Sequence, residues 1–243
     1  MSISLPGFCL ETLSRSTQLS RIEGLDDLER VRLPGGRDGG GIKMYNADIF
    51  KATLVDFRLG DGVPVPHHDN RLCAAAEIFQ IAPDLNYRLP AWGINSVIMK
   101  DGTYYFDTDF SFGFDLVTDY DFVQTYIAPF NETYREFTAH PDFEMVSFYE
   151  STPWVRTCMS PLFFSAVTTR DRVEAVCELA AAFIGVWMGM YRDAETVDAA
   201  GREAQEKRLK ARAAGSKDSD RMGRVLLDAY GRETFTRFFR AMA

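Results

Sequence analysis

The chain is poor in the residues that build metal and disulfide sites. Its 243 residues include four cysteines and three histidines, and no two cysteines have the C-x-x-C spacing of a zinc or redox motif. We therefore expect neither a metal site nor a disulfide framework. The cysteine pattern favours a reducing, cytoplasmic location.

Phosphate-binding and membrane signals are also lacking. No G-x-G-x-x-G sequence joins a predicted strand to a helix, so we expect the glycines of 34–41 to form a flexible connection. The first residues show no basic segment followed by an apolar core, so no signal peptide is predicted. The longest apolar run, 173–191, contains Glu174 and Glu178, which favours a buried helix over a membrane span.

Hydrophobic and aromatic residues are abundant. They make up 46% and 13% of the chain, with 19 Phe and 10 Tyr, which is enough for a sizeable core or an aromatic-lined pocket. No linker divides the chain convincingly. We expect one domain over 1–243, with a variable N-terminal segment over 1–41.

Strand patterns come first along the chain and helical patterns follow. Strands are predicted at 43–48, 50–59, 72–82, 94–100, 103–110 and 161–167. Turns are predicted at 60–62, 83–84 and 100–102. Helices are predicted at 119–138 with a break near Pro129, and at 169–192, 195–213 and 220–241. This order predicts an α+β fold, an α/β/α sandwich with a central antiparallel sheet flanked by helices.

The net charge of −8 hides a basic C-terminal end. Residues 202–243 contain 11 Lys and Arg against 6 Asp and Glu. A solvated helix face is one interpretation, and a docking surface for an acidic partner is the other. Nucleic acid is a poor candidate because the rest of the surface is acidic. The residues that cluster are Arg202, Lys207, Arg208, Lys210 and Arg212.

Three polar residues are candidates for catalysis or ligand binding. Asp220 adjoins an amphipathic helix, where it is either a helix cap or a carboxyl whose pKa is raised by apolar neighbours. Asp56 and Asn95 each lie inside an apolar strand. Each of these two side chains either satisfies the backbone or faces a ligand.

Several spaced segments together resemble the ferredoxin-dependent bilin reductases. The resemblance spans about residues 43–241, and no single motif in it is specific. The positions that carry it are the strand with Asp56, Pro83, Leu89-Pro90, Gly93-x-Asn95, Pro153-Trp154, Ser160, Asp220, Arg224 and Tyr230-Gly231. Members of this family reduce biliverdin or a dihydrobiliverdin to phytobilins.

The resemblance implies roles for individual residues. Asn95 stands where most members have an Asp and some have Asn, and Asp220 matches an acid that helps to protonate the tetrapyrrole. Asp56 falls where some members use a Glu to reduce the D-ring vinyl group. Ile78 replaces the family's catalytic His. This replacement favours reduction of the A-ring diene or a methine bridge over the D-ring vinyl group.

The resemblance also implies substrate contacts and a redox partner. The Arg with which the family holds a propionate is missing near Ala166, so Arg221 or Arg224 is expected to take that role. Ile78 and Trp154 are expected to contact the substrate. Trp92, Trp154 and Trp187 are candidates to flank a flat pigment, and core packing is the alternative for all three. The family has no bound flavin or nicotinamide, so electrons are expected singly from a [2Fe–2S] ferredoxin docked on the basic C-terminal face.

Other interpretations stay open. The chain is alternatively a reductase of a chlorophyll-breakdown tetrapyrrole, a tetrapyrrole carrier without catalysis, or a protein-interaction domain without a ligand. The pair His67-His68 is interpreted as part of a surface loop, with a metal site or proton relay as the less favoured alternative.

Overall fold

The computed structural model describes residues 4–33, 35–65, 70–146, 153–219 and 221–242. It contains eight strands: β1 Ser20–Arg21, β2 Gly40–Asn46, β3 Phe50–Val65, β4 Arg71–Pro83, β5 Ala91–Met99, β6 Thr103–Ser111, β7 Glu144–Met145 and β8 Phe164–Thr169. The α-helices are α1 Leu5–Ser14, α2 Asp26–Glu29, α3 Tyr120–Phe122, α4 Asn131–Thr138, α5 Val173–Arg192, α6 Ala199–Ser219, α7 Arg221–Tyr230 and α8 Arg232–Met242. Short 3₁₀ or π turns cover Val123–Ile127, Ala128–Phe130, Pro153–Cys158 and Arg170–Arg172.

The strands form one antiparallel sheet in the order β1-β2-β3-β4-β5-β6-β8-β7. Successive side chains of a strand point to opposite faces. In β6, for example, Tyr104, Phe106 and Phe110 are buried on one face, and the residues between them are less buried on the other. Helices cover both faces, so the predicted α+β sandwich with a central antiparallel sheet is confirmed.

Helices α1 and α5 cover the face that we call the α5 face. Trp187 of α5 is buried, and its indole nitrogen donates a hydrogen bond of 2.8 Å to the Pro90 carbonyl. Its ring meets Phe50 of β3 edge-on, with 4.9 Å between the ring centroids. Helix α5 is long and apolar enough to cross a membrane. Because its apolar side packs on the sheet, we interpret it as a core helix, as its sequence predicted.

Helices α2, α7 and α8 cover part of the opposite face, which we call the α7 face. Val225 and Leu226 of α7 and Phe238 of α8 pack there on a cluster that includes Val55 and Phe57 of β3. The hydroxyl of Tyr230 accepts a hydrogen bond of 3.0 Å from the Arg58 backbone nitrogen and donates to the Gly39 carbonyl. These bonds fix the C-terminal helices to β3.

Two local expectations were wrong, and one helix was not predicted. Strand β3 continues through 60–62 instead of turning there, because its pairing with β4 shifts register between Arg58 and Val63 in a bulge. The segment 1–41 includes an ordered helix, α1, whose start is capped by Ser4 and whose second residue is proline. The predicted C-terminal helix is divided at Gly231, which has a φ of 76°.

Gly40, at the start of β2, meets two constraints at once. Its φ is 80°, and a Cβ atom there would overlap the Asp56 carbonyl oxygen on β3. Gly24 has a similar φ of 86° but no heavy atom within 4 Å of such a Cβ atom. Gly40 therefore allows close approach of two strand backbones.

We expect Gly40→Ala to cost about 3 kcal/mol or more in unfolding free energy, because backbone strain and overlap add. Gly24→Ala, the control, should cost only about 1–2 kcal/mol. Urea unfolding measures both. Equal losses would show that the strands do not need this close approach.

Candidate active site

The candidate site is a row of three residues across the middle of the sheet. Strand β5 lies between β4 and β6, and Asn95 of β5 is in register with Ile78 on one side and Asp107 on the other. Residues paired in this way point to the same face. Asn95 is exposed although its strand is an interior one. The sheet is therefore accessible at this row.

The row lies on the α7 face. Ile78, and Val97 two residues after Asn95, both pack against the hydrophobic cluster that contains α7. Tyr105, which is in register with Val97, packs there too. Ile78, Val97 and Tyr105 thus form an apolar floor, and the accessible row adds polar groups beside it. This arrangement suits a flat, largely apolar ligand with a few polar atoms.

Asn95 and Asp107 are joined directly. The amide nitrogen of Asn95 donates a hydrogen bond of 2.8 Å to a carboxylate oxygen of Asp107. An amide can orient a neighbouring group but does not supply a proton at ordinary pH, whereas a carboxyl group can. The pair therefore combines a positioning group with an ionisable one on an accessible surface.

The next acidic residue on this face, Asp109, is engaged elsewhere. Its carboxylate forms an ion pair of 2.5 Å with Arg212 of α6 and accepts hydrogen bonds from the backbone nitrogen and hydroxyl of Ser160. Arg212 also donates a bond of 3.0 Å to the Phe110 carbonyl. Burial raises the pKa of Asp109, while Arg212 and Ser160 act in the opposite direction. This cluster is a structural clamp between β6 and α6.

The turn Pro153–Cys158 packs against α6. Trp154 is about half exposed. Its ring lies against Gly215 of α6, because a Cβ atom added to that glycine would stand only 3.1 Å from the ring. A hollow of about 300 Å³ lies nearby, lined by Arg156, Met159, Ser160 and Phe163. Trp154 is thus a partly exposed aromatic side chain beside α6, and its predicted contact with a ligand stays a prediction.

Asp56 does not join Asn95. Its neighbours in β3, Val55 and Phe57, belong to the cluster on the α7 face, so strand alternation puts Asp56 on the α5 face. It is in register with Glu77 there, and its carboxylate accepts a hydrogen bond of 2.8 Å from Arg58. Asp56 and Asn95 therefore lie on opposite faces of the sheet, and the catalytic role predicted for Asp56 stays a prediction.

The structure describes some of the C-terminal residues that the sequence predicted for the site, and not others. Arg224 is exposed on α7, and Arg221 is the first residue of that helix. Asp220 lies outside the described residues, as do His67 and His68. Their predicted roles stay predictions.

The basic C-terminal face is smaller than its composition suggested. Arg212 points inward to Asp109, which removes it from the predicted docking surface. Arg208 lies 3.6 Å from Asp115, and Lys210 lies 2.5 Å from Glu206. Two further members, Arg202 and Lys207, are exposed.

Three acidic residues of the sheet were not among the candidates identified from the sequence. Asp107 and Asp109 are spaced two apart in β6, a signal that both point to one face. Glu77 is a partly buried acid on the α5 face, where the hydroxyls of Tyr104 and Ser96 lie 3.4 and 3.5 Å from its carboxylate. Burial raises the pKa of Glu77.

Comparison with solved structures identifies the fold class. The chain matches phytochromobilin synthase from tomato, solved in complex with biliverdin, with a TM-score of 0.70 and 13% sequence identity. The match covers 94% of this chain and 77% of that one. No family model matches the sequence, and no curated protein does either. The resemblance to bilin reductases is therefore confirmed at the level of the fold.

The Asp109–Arg212 clamp makes a stability prediction. Arg212→Met should cost about 3–5 kcal/mol in unfolding free energy, because a poorly solvated carboxylate loses its partner. Asp109→Asn in the same chain should recover much of that loss, since the charge is removed. Urea unfolding of the single and double variants measures this coupling.

Lys210→Met is the matched control, since it breaks an exposed ion pair that is worth less than about 1 kcal/mol. A loss from Arg212→Met as small as the control's would mean that the clamp does not hold α6 on the sheet.

Proposed function

We propose that this chain is an oxidoreductase that reduces biliverdin or a dihydrobiliverdin to a phytobilin. The observation that carries the proposal is the accessible Asn95–Asp107 pair on the α7 face of the sheet, in a chain with the fold of an enzyme solved with biliverdin. An open-chain tetrapyrrole is flat and apolar with polar ring nitrogens and carbonyls. Those features suit an apolar floor crossed by one polar row.

The bilin would lie between the sheet and the C-terminal helices. Ile78, Val97 and Tyr105 would contact its rings, and Asn95 would hydrogen-bond a ring carbonyl or nitrogen. Trp154 and Arg224 would contact it from the side of the helices, Arg224 by pairing with a propionate. Arg221 and Asp220 remain proposals of the same kind, for a propionate contact and for proton delivery.

The position of Ile78 bears on which double bond is reduced. Ile78 is directly beside Asn95 and cannot exchange a proton. A proton for this part of the pigment must therefore come from another side chain. We propose reduction of the A-ring diene or a methine bridge in preference to the D-ring vinyl group.

We propose that electrons arrive one at a time from a reduced [2Fe–2S] ferredoxin, with no resident redox cofactor in this chain. Arg202, Lys207, Arg208 and Lys210 along α6 would form the docking surface for this acidic protein in a cytoplasmic setting. Such contacts are small and salt-sensitive.

Anaerobic incubation of the protein with biliverdin, a ferredoxin and a ferredoxin-reducing system tests the proposal. We expect biliverdin to bind at about micromolar or lower concentration, and its long-wavelength absorbance to be replaced by that of a product with fewer conjugated double bonds. Chromatography against bilin standards identifies the product. A bound spectrum that never changes would favour a tetrapyrrole carrier, and no binding would overturn both ideas.

The docking surface has its own test. Lys207→Glu with Arg208→Glu should raise the ferredoxin concentration for half-maximal rate by about 3–10-fold at low salt, because rim charges mainly affect encounter. Biliverdin affinity should not change. Arg15→Glu, an exposed charge reversal just after the end of α1 and away from α6, is the control. Equal effects at both positions would contradict docking on α6.

A further inference from the structure

We infer that Gly93 of β5 is the point at which the bound pigment lies closest to the sheet, and that its missing side chain determines which ligands fit. This inference rests on the proposed function and names a specificity-determining residue for it. It starts from a glycine that neither the backbone conformation nor the packing of the described residues requires. Gly93 was part of the family resemblance, but the sequence assigned it no role.

Gly93 lies inside a central strand, where glycine is unfavourable. Strand β5 pairs with β4 on one side and β6 on the other, and Gly93 is in register with Gln80 and Asp109. A glycine at such a position has no side chain to pack, and it loses more conformational freedom on folding than any other residue. Its presence there therefore needs a physical reason.

The backbone conformation does not supply that reason. The φ of Gly93 is not positive, in contrast to those of Gly40 and Gly102, so other residues can adopt its conformation. The pairing with both neighbouring strands is regular at Gly93, so no bulge is present there. The Thr108 hydroxyl donates a hydrogen bond of 2.9 Å to the Gly93 carbonyl, and this bond does not depend on the side chain at position 93.

Packing does not supply the reason either. Among the described residues, a Cβ atom added to Gly93 would have only the Phe79 carbonyl oxygen within 4 Å, at 3.5 Å, an ordinary van der Waals contact. At Gly40, by contrast, such an atom would overlap the Asp56 carbonyl oxygen. A glycine that opens into free space within a strand is typical of a site where a ligand approaches the backbone closely.

The open space above Gly93 lies on the α7 face, directly beside Asn95. Trp92 and Ile94 are buried in the core of the α5 face, so strand alternation puts Gly93 and Asn95 together on the other face. Their Cα atoms are about 7 Å apart along the strand. Since Asn95 is exposed, a ring that rests on Gly93 has its edge toward a hydrogen-bonding amide.

Side chains of the neighbouring strands form two walls around this space. Gln80 of β4 and Asp109 of β6 flank Gly93 in the same row. The two strands that carry these walls are about 10 Å apart, which is two strand spacings. Asp109 is held in place by Arg212 and Ser160. The space is therefore a slot with a bare backbone floor, which admits a flat ring and excludes a bulky one.

We expect substitutions at Gly93 to weaken biliverdin binding in the order of side-chain size without destabilising the protein. Gly93→Ala should raise the Kd about 10-fold and Gly93→Val about 100-fold or more, because added methyl groups displace a ring from a close-fitting site. Both variants should unfold at the parental urea concentration or a higher one, since glycine weakens a strand interior. Absorbance titration with biliverdin and urea unfolding measure the two effects.

Gly185→Ala is the matched control. Gly185 is exposed on α5, and a Cβ atom added there would have no described heavy atom within 4 Å outside its own helix. This variant should bind biliverdin with the parental Kd. It should also unfold at a higher urea concentration than the parent, because alanine favours a helix more than glycine does.

A Gly93→Val variant that binds biliverdin as tightly as the parent would overturn the inference. So would a Gly93→Ala variant that unfolds at a clearly lower urea concentration, because the glycine would then serve the packing of the sheet. If both variants lose affinity while the parent binds biliverdin but never reduces it, only the proposed reduction is rejected. A parent protein that does not bind biliverdin would overturn the inference and the proposed function together.

Discussion

The register between β4, β5 and β6 is the constraint on which the rest of this molecule depends. Side chains alternate between the faces of a sheet, so a shift of one residue would send Asn95 to the core and a buried neighbour to the surface. The observed pairing puts Ile78, Asn95 and Asp107 in one row. It also puts Asp56 and Glu77 together on the opposite face. The alternation of side chains along the strands thus divides these acids between the two faces of the sheet.

The two faces of the sheet use their polar groups differently. On the α5 face, Glu77 is enclosed with Tyr104 and Ser96 beneath a core rich in aromatic rings. On the α7 face, Asp109 binds Arg212 and so joins α6 to β6, while Asp107 stays accessible beside Asn95. The positive charge of Arg212, which the sequence assigned to a docking surface, instead holds α6 on the sheet. Composition counts such a charge, but it does not show which way the side chain points.

The likeness to phytochromobilin synthase holds over nearly the whole chain with 13% of residues identical. A fold tolerates such divergence when the pattern of buried and exposed positions is kept, because many apolar side chains fill a core equally well. In the row across the middle of the sheet, Ile78 and Asn95 have no ionisable group, and Asp107 on the adjacent strand has one.

The sequence by itself determined the class of fold, the presence of most strands and the buried nature of α5, because these follow from local periodicity. It also singled out Asn95 as a polar residue inside an apolar strand. It did not show that Gly60 and Gly62 form a bulge, that α1 packs on the sheet, or that Asp56 faces away from Asn95. Only the tertiary structure decided which residues of different strands are partners. The reason is that strand pairing joins residues far apart in the chain, such as Asn95 with Asp107 and Asp109 with Arg212, and local patterns contain no record of that register.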